Sequence, residues 1–157
     1  MNILTKKIIK KLISKNLTIS ICESCTGGVL SSCLTKYPNA SKTFSLGITT
    51  YSNKSKNKFL KVPKYILDKH GSVSSQVCLS MLKNLNKIAK TDISISITGI
   101  AGPGGGTKEK PIGLVYLGVK KNNRILVKKY LFKNKGRQNI QKAAVNKSLK
   151  LIFDLVK

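Results

Sequence analysis

The chain has 157 residues, 41% of them hydrophobic, and 30 Lys and Arg residues outnumber 5 Asp and Glu residues to give a formal net charge of +25. This composition excludes a largely disordered chain. No apolar run approaches the roughly 18–20 residues that span a membrane. The N-terminus also lacks the pattern of a signal peptide. We therefore expect one soluble, cytoplasmic domain over residues 1–157 that does not associate with a membrane.

The first half of the chain predicts two strands, each followed by helical sequence. Residues 3–15 place apolar side chains at helical spacing with lysines between them, and residues 17–22 alternate β-forming residues as a strand does. A turn at residues 23–28 leads into a helix of small residues that ends near Lys36. Residues 44–51 predict the second strand.

Residues 53–98 predict mostly helix. A short basic helix is expected over residues 53–60, and Pro63 can open another at its first turn. Ser74 is the expected N-cap of a longer helix with one apolar face, because its hydroxyl can accept a hydrogen bond from a free backbone N–H. Residues 92–98 then alternate isoleucine with serine and predict a third strand.

The last third of the chain predicts a hairpin and a closing helix. A loop rich in glycine and proline covers residues 99–111, and two strands at 112–120 and 123–132 are joined at Asn122-Asn123. A helix is expected from about residue 136 to 156. The alternation of strands and helices predicts a three-layer α/β/α domain, and the hairpin makes its sheet mixed.

Three polar segments follow the predicted strand ends, at residues 23–28, 51–56 and 98–107. Ligands of open α/β sheets bind beyond the carboxyl ends of the strands, so these loops are expected to converge on one site. In the first segment Ser24 lies at a strand-to-helix turn, where backbone N–H groups and the helix dipole favour a developing anion. Ser24 could therefore be a nucleophile, or simply an N-cap of the following helix.

The first segment also contains Cys22 and Cys25, a C-x-x-C spacing that could indicate a thioredoxin-like redox pair. Against this, no tryptophan precedes the pair and Cys22 belongs to the predicted strand. The chain has four cysteines and one histidine, His70, and shows no usual zinc spacing, so we expect neither a disulfide scaffold nor a metal site.

A serine nucleophile needs a base, and the only histidine, His70, lies at a predicted helix end where a capping role is more natural. A lysine of the second segment is the alternative, because Ser-Lys variants of the catalytic triad exist. Such a lysine must be neutral, which burial and the +25 background would both promote. Tyr51 could donate a hydrogen bond or relay a proton.

The third segment supplies many glycine N–H groups that suit a phosphate. It is not a Walker A motif, because Gly106 is followed by Thr107-Lys108 where that motif requires Gly-Lys and then Ser or Thr. An NTPase is therefore disfavoured, whereas a loop that holds an anion is not.

The positive charge itself is a weak indicator of a nucleic-acid partner. Basic residues are spread along the whole chain, only Arg124 and Arg137 are arginines, and aromatic residues make up 6%. We interpret the excess of lysine as compositional drift of an AT-rich coding sequence, with a selected nucleic-acid surface as the less favoured alternative.

Four motifs in order along nearly the whole chain resemble the CinA C-terminal domain family. They are Glu23-Ser24-Cys25-Thr26-Gly27-Gly28, Thr50-Tyr51-Ser52-Asn53 with Lys56, Gly71-Ser72-Val73-Ser74, and Thr98-Gly99-Ile100-Ala101-Gly102-Pro103-Gly104-Gly105-Gly106-Thr107. The resemblance implies a stand-alone form of the domain and a CinA-like fold. It also implies nicotinamide mononucleotide deamidase activity, which yields nicotinic acid mononucleotide and ammonia in pyridine nucleotide salvage without a metal or organic cofactor, and a homodimer.

The resemblance also implies roles for individual residues. Ser24 matches the nucleophile, Lys56 its base and Tyr51 an assisting tyrosine. The implied substrate-binding residues are Thr26, Gly27, Gly28, Thr98, Gly102, Gly104, Gly105 and Arg137. Backbone N–H groups from Cys25 to Gly28 are expected to stabilise the oxyanion, and Arg137 or the glycine loop is expected to hold the phosphate.

The chain departs from the family pattern near its last helix, where Gln141 stands at a position that is often arginine. Abundant lysines could replace that arginine as point charges. Fold alone does not establish activity. A non-catalytic, competence- or damage-associated protein of the same fold that binds nucleotides or nucleic acid therefore remains an alternative, although Ser24, Tyr51 and Lys56 together favour catalysis.

Overall fold

We describe residues 2–157 of the chain from a computed structural model. In the described part the helices are α1 (Asn2–Ser14), α2 (Val29–Thr35), α3 (Asn53–Leu60), α4 (Lys64–His70), α5 (Ser75–Ala89) and α6 (Arg137–Val156). The strands are β1 (Ile19–Glu23), β2 (Phe44–Thr49), β3 (Ile93–Gly99), β4 (Leu114–Lys121) and β5 (Arg124–Leu131). A short 3-10 helix at Ala40–Lys42, which the sequence analysis did not predict, precedes β2.

The sheet has the strand order β2-β1-β3-β4-β5. Strands β2, β1 and β3 are parallel, whereas β4 and β5 are antiparallel to their neighbours and form the predicted hairpin. The chain leaves β1 towards β2 on one side and later enters β3 on the other side of β1. The carboxyl ends of β1 and β3 therefore meet at a topological switch point, the usual ligand site of open α/β sheets.

Helices cover both faces of the sheet, which confirms the predicted three-layer α/β/α architecture with a mixed sheet. On one face α1, α2 and α6 pack their apolar residues against Ile19 and Ile21 of β1 and the isoleucines of β3. On the other face Leu60, Leu67 and Met81 from three different helices form a second cluster, which also includes Cys22. Burial of these aliphatic side chains is the main stabilising contribution to the fold.

The serines of β3 are buried, although alternation with isoleucine usually indicates a strand with one solvent face. Both faces of β3 are covered, because α5 packs over the side that carries Ser94 and Ser96. Their hydroxyls are satisfied within the core: Ser94 contacts the hydroxyl of Ser20, and Ser96 donates to the carbonyl oxygen of Cys78 on α5 at 2.9 Å. Buried hydroxyls are tolerated when they are hydrogen-bonded in this way.

Local signals explain the two helices that flank the candidate site. Ser52 and Ser55 form a reciprocal capping box at the start of α3, where each side chain bonds the backbone N–H of the other. Ser74 caps α5 as predicted, and its hydroxyl accepts from the N–H of Val77. Pro63 lies one residue before α4 rather than within its first turn.

Candidate active site

The Ser24 turn, residues 24–28, leaves the carboxyl end of β1 and enters α2. The N–H of Ser24 donates to the carbonyl oxygen of Ile97 on β3 at 3.0 Å, which attaches the turn to the neighbouring strand. The N–H of Gly27 returns to the carbonyl oxygen of Ser24, also at 3.0 Å. Gly27 and Gly28 have φ angles of 61° and 95°, a left-handed region that glycine enters without steric cost. The turn thus places Ser24 at the switch point.

A buried carboxylate holds the far end of the Ser24 turn. Glu23 is fully buried and accepts the N–H groups of Gly28, Leu30 and Ser31 at 3.2, 3.1 and 2.9 Å, together with the Ser31 hydroxyl at 2.8 Å. These donors belong to the start of α2, where the helix dipole also favours a negative charge. Glu23 had no role among the expectations drawn from the sequence. The available signal was that one of only five acidic residues in the chain directly follows a predicted strand, just before the Ser24 turn.

Lys56 on α3 reaches Ser24 in the protein interior. Its side chain is 1% exposed, and its Nζ lies 3.0 Å from Ser24 Oγ. The same Nζ donates to the backbone carbonyl oxygens of Thr50 at 2.8 Å and Tyr51 at 3.4 Å. Burial lowers the pKa of Lys56 from its ordinary value of 10.5. Neighbouring positive charge was also expected to lower this pKa, but the cause is burial.

The three oxygen partners of Lys56 suit both protonation states of its amine. The charged amine can donate to all three oxygens, whereas the neutral amine can donate to the two carbonyl oxygens and accept from the Ser24 hydroxyl. No Asp or Glu is among the described residues that line the surrounding cavity, so no carboxylate there favours the charged form. The geometry therefore suits proton transfer from Ser24 to Lys56.

A cavity of about 350 Å³ opens in front of Ser24, within the roughly 300–1,000 Å³ typical of small-molecule sites. All three predicted segments contribute to it, as the sequence analysis expected. The described residues that line it are Ser24, Cys25, Tyr51, Lys56, Gly71, Ser72, Val73, Thr98, Gly99, Ile100, Ala101, Gly102, Gly104, Gly105, Lys110 and Arg137.

Two polar residues of the cavity wall are hydrogen-bonded to the end of α4 and to the segment that follows it. Thr98 donates its hydroxyl to the carbonyl oxygen of Ser72 at 2.7 Å, and Lys110 donates to the carbonyl oxygen of His70 at 2.5 Å. His70 ends α4 and is not among the described residues at the cavity, so the structure places no histidine beside Ser24. Lys110 is a cavity residue that the sequence analysis did not identify.

Arg137, the first residue of α6, joins two loops at the cavity mouth. Its guanidinium donates to the carbonyl oxygen of Gly102 at 2.7 Å and to the phenol oxygen of Tyr51. Tyr51 is 57% exposed, and only its backbone carbonyl contacts Lys56. The phenol of Tyr51 is therefore bonded to Arg137 rather than to Ser24 or Lys56.

Three predicted substrate-binding residues do not lie at this cavity. Thr26 is fully buried, and Gly27 and Gly28 line a separate depression beside α2. The expectation that the N–H groups of Gly27 and Gly28 face an oxyanion is also wrong, because these groups donate to Ser24 and Glu23. The turn into α2 requires left-handed φ angles at both positions, which glycine adopts without steric cost. The N–H groups of the two glycines are used in hydrogen bonds within this turn.

Cys22 and Cys25 do not form a redox pair. Cys22 packs in the core under α4 and α5, whereas Cys25 belongs to the cluster on the opposite face of the sheet. Both thiols are buried and free, and burial raises the pKa of Cys25 to about 12. Redox-active cysteines have lowered pKa values and exposed sulfur atoms. The C-x-x-C spacing is therefore incidental.

Comparison with known proteins identifies the family. The family model of the CinA C-terminal domain matches residues 1–156 of the chain. The chain belongs to this family. A protein of Clostridioides difficile named as competence-damage inducible is 50% identical over 129 residues, which are 82% of this chain and 31% of that protein. A CinA-like protein of Fusobacterium nucleatum is 49% identical over 146 residues, 91% of this chain and 35% of that protein. The chain spans about a third of the length of these curated relatives.

Solved structures of CinA proteins share the fold along nearly the whole chain. The crystal structure of the competence/damage inducible protein CihA from Agrobacterium tumefaciens is 34% identical with a TM-score of 0.96, covering 99% of this chain and 95% of that one. A CinA superfamily protein from Escherichia coli is 29% identical with a TM-score of 0.93, covering 98% of this chain and 89% of that one. The predicted resemblance to the CinA family is thus confirmed.

Two groups of features are absent from residues 2–157. Within that range no helix is long and apolar enough to cross a membrane. In the same described residues no three His, Cys, Asp or Glu side chains form a group that could hold a metal ion.

Proposed function

We propose that this chain is an amidohydrolase that converts nicotinamide mononucleotide to nicotinic acid mononucleotide and ammonia, with Ser24 as nucleophile and Lys56 as general base. The observation that carries the proposal is the buried Lys56 Nζ, 3.0 Å from Ser24 Oγ. A buried amine against a serine hydroxyl is costly for stability, because burial penalises its charged form. A catalytic role explains that cost.

The first chemical step forms the acyl-enzyme. Ser24 Oγ attacks the carboxamide carbon and its proton moves to Lys56 Nζ, which gives a tetrahedral intermediate with a negative oxygen. Collapse of the intermediate breaks the C–N bond, and Lys56 returns the proton to the departing ammonia. Cys25 is the residue after Ser24 in the turn and lines the cavity, so its backbone N–H is the candidate oxyanion donor.

The second step hydrolyses the acyl-enzyme. Lys56, neutral again after ammonia leaves, accepts a proton from water as the water attacks the ester carbon. The ester bond to Ser24 Oγ breaks, the proton on Lys56 returns to Ser24 Oγ, and the carboxylic acid product releases its own proton to water and leaves as the carboxylate. These steps need no metal ion or organic cofactor, since both the nucleophile and the base belong to the chain.

The cavity offers distinct surroundings for the two ends of this substrate. Val73, Ile100 and Ala101 are apolar lining residues that could contact the pyridine ring near Ser24. Arg137 lies at the mouth with the glycine loop, where a bidentate guanidinium suits the phosphate. Lys110 lines the same cavity and supplies a second positive charge. We place the reaction in pyridine nucleotide salvage in the cytoplasm, with a homodimer as the expected assembly.

The direct test is incubation of the purified chain with nicotinamide mononucleotide and measurement of ammonia without added metal. We expect ammonia and nicotinic acid mononucleotide in equal amounts. Absence of ammonia at enzyme concentrations comparable to substrate would reject the proposal and favour a non-catalytic member of the family.

Tyr51→Phe is expected to cost less activity than loss of the nucleophile. The substitution retains the backbone carbonyl that contacts Lys56 and removes only the phenol oxygen that accepts from Arg137. We therefore expect kcat to fall by less than about 100-fold, the lower limit for loss of an acid–base group. Steady-state kinetics would measure this, and a loss equal to that of Ser24→Ala would instead make the phenol part of the proton transfer.

Arg137→Ala is expected to raise KM for nicotinamide mononucleotide and to change kcat little. The guanidinium lies at the cavity mouth, away from the bond that breaks, so its loss should weaken binding more than chemistry. Arg124→Ala removes the other arginine of the chain, at the exposed start of β5, and is the matched control. Equal KM values for the two variants would show that Arg137 does not bind the phosphate.

A further inference from the structure

Two positive side chains besides Lys56 line the cavity in front of Ser24. They are Lys110, from the loop before β4, and Arg137, the first residue of α6. In the described part of the chain neither of them makes an ion pair, and no Asp or Glu lines the cavity. Positive charge without a counter-charge in a cleft attracts an anionic ligand, because the low-dielectric walls focus the field.

The position of Lys110 at the cavity wall is fixed by its backbone and by its amine. The N–H of Thr107 donates to the carbonyl oxygen of Lys110 at 2.9 Å, and the Lys110 N–H donates to the Thr107 hydroxyl at 3.0 Å. Lys110 Nζ donates to the carbonyl oxygen of His70 at 2.5 Å. That bond uses one of the three N–H donors of the ammonium group, so two remain for a ligand.

Gly71 leaves space beside this amine. Gly71 also lines the cavity, and a Cβ at this position would lie 3.0 Å from Lys110 Nζ, so any side chain there would crowd the amine. Its φ angle of 73° lies in the left-handed region, which also favours glycine. The half-buried Lys110 amine therefore lies against bare backbone of the cavity wall, where an entering ligand can approach it.

Lys110 is the lysine that can supply the point charge that Gln141 lacks. The neutral amide of Gln141 donates to the carbonyl oxygen of Cys25 at 2.8 Å and brings no charge to the cavity. Among the described residues of the cavity wall the two lysines are Lys56 and Lys110. Lys56 is bonded to Ser24 and to two backbone carbonyl oxygens, which leaves Lys110 for an anionic ligand.

A phosphomonoester matches the charge of Lys110 and Arg137 together. It carries a charge of roughly −1.5 to −2 at pH 7, whereas a phosphodiester carries a single negative charge and a hydroxyl none. The planar guanidinium of Arg137 can bind two phosphate oxygens, and Lys110 can add a point charge. Because both line one cavity of about 350 Å³, a small molecule that fills the cavity lies within reach of both.

We propose that Lys110 determines the specificity of the site for a ligand with a terminal phosphate, which it binds together with Arg137. Lys110 then selects the nucleotide over the nucleoside and over a phosphodiester. The inference rests on nicotinamide mononucleotide being the phosphorylated substrate of the proposed function. The Lys110 amine is bonded to His70 and not to Ser24 or Lys56, so loss of its charge should raise KM and leave kcat nearly unchanged.

The first experiment compares nicotinamide mononucleotide with nicotinamide riboside, which lacks the phosphate. Lys110→Gln removes the charge but keeps an N–H donor for the His70 carbonyl oxygen. Its KM for the nucleotide should rise by about 10- to 100-fold, the value of a hydrogen bond to a charged group, while kcat/KM for the riboside should change by less than about twofold. Lys110→Arg keeps the charge and should recover most of the affinity for the nucleotide.

Lys108→Gln is the matched control for this experiment. It makes the same substitution at an exposed position of the same loop, outside the described cavity wall, and lowers the net charge of the chain by the same amount. Its KM for the nucleotide should equal that of the wild type, and the two glutamine variants should have similar melting temperatures. Equal KM values in the two variants, an equal loss on the riboside, or no recovery in Lys110→Arg would overturn the inference.

The second experiment measures binding without turnover, with ribose 5-phosphate as the probe. It should raise the melting temperature of the wild type more than ribose does at equal ionic strength, because a ligand that binds only the folded state stabilises it. In Lys110→Gln the same rise should require at least about 10-fold more ribose 5-phosphate than in Lys108→Gln. This comparison separates binding at Lys110 from attraction of phosphate to the basic surface as a whole.

The two experiments distinguish failure of the inference from failure of the proposed function. Release of ammonia from nicotinamide mononucleotide with equal KM in the two glutamine variants supports the proposed function and overturns the inference. Absence of ammonia rejects the proposed function, while a response to ribose 5-phosphate that depends on Lys110 still supports the phosphate site. Equal or absent responses to ribose 5-phosphate would then overturn the inference as well.

Discussion

Replacing Ser24 with alanine is expected to lower ammonia release from nicotinamide mononucleotide by at least about 100-fold. The hydroxyl is the group that forms the covalent bond in the proposed reaction, and alanine offers no substitute for it. The change should leave the fold intact, because the Ser24 turn is held by backbone bonds and by Glu23 rather than by the Ser24 side chain. Unfolding curves of the variant and wild type should therefore be similar.

Ser32→Ala provides the control for this variant. Ser32 is exposed on α2, close in sequence to the turn, and is not among the described residues at the cavity. Its ammonia release should equal that of the wild type. If Ser24→Ala also retained the wild-type rate, Ser24 would have no role as nucleophile and the mechanism would have to be abandoned.

Lys56→Ala is expected to cause a loss of similar size, at least about 100-fold in kcat, because it removes the base. Lys56→Arg should be equally inactive, since a guanidinium stays protonated and cannot accept the proton of Ser24. The comparison separates a base from a group that only supplies positive charge. Lys54→Ala, an exposed lysine of the same helix, is the matched control and should keep full activity.

The pH dependence of the wild type follows from the lowered pKa of Lys56. Only the neutral amine can accept the proton of Ser24, so kcat/KM should rise with pH and level off above the pKa of Lys56, which burial places below 10.5. Lys54→Ala should show the same profile. A rate that does not rise with pH anywhere below 10.5 would mean that Lys56 is not the base.

The same shift predicts how stability depends on pH. Between the lowered pKa of the folded state and 10.5, the unfolded chain binds a proton at Lys56 that the folded chain does not bind. The free energy of unfolding should therefore rise with pH across this window through Lys56. Urea unfolding of the wild type and Lys56→Met at several pH values should show a steeper rise in the wild type.

Most of the fold was predictable from the sequence because its elements carry local signals. The apolar spacing of α1 and α5, the hydroxyl cap at Ser74 and the turn at Asn122-Asn123 each depend on neighbours within a few residues. The boundaries agree with the structure within about two residues. The burial of the β3 serines was not predictable in this way, since it depends on α5 covering the second face of the sheet.

The site was predictable in part. The strand-end rule and the family motifs brought Ser24, Lys56 and Thr98 to one cavity, as the structure has them. They also assigned Gly27 and Gly28 to the substrate, whereas the N–H groups of these glycines bond within the turn. A motif shows which residue types are present, but it does not show to which acceptors their donors are directed.

The sequence by itself determined the order of the elements, the family and the small set of groups to which we assign the proposed chemistry, because periodicity, caps and motifs are properties of short stretches. Only the tertiary structure decided that Lys56 is buried against Ser24, that Arg137 binds the phenol of Tyr51, and that Gln141 binds Cys25. These contacts join residues 32, 86 and 116 positions apart. These contacts form only when the helices pack against the two faces of the sheet. The same packing removes water from the amine of Lys56, and this loss of solvation lowers its pKa.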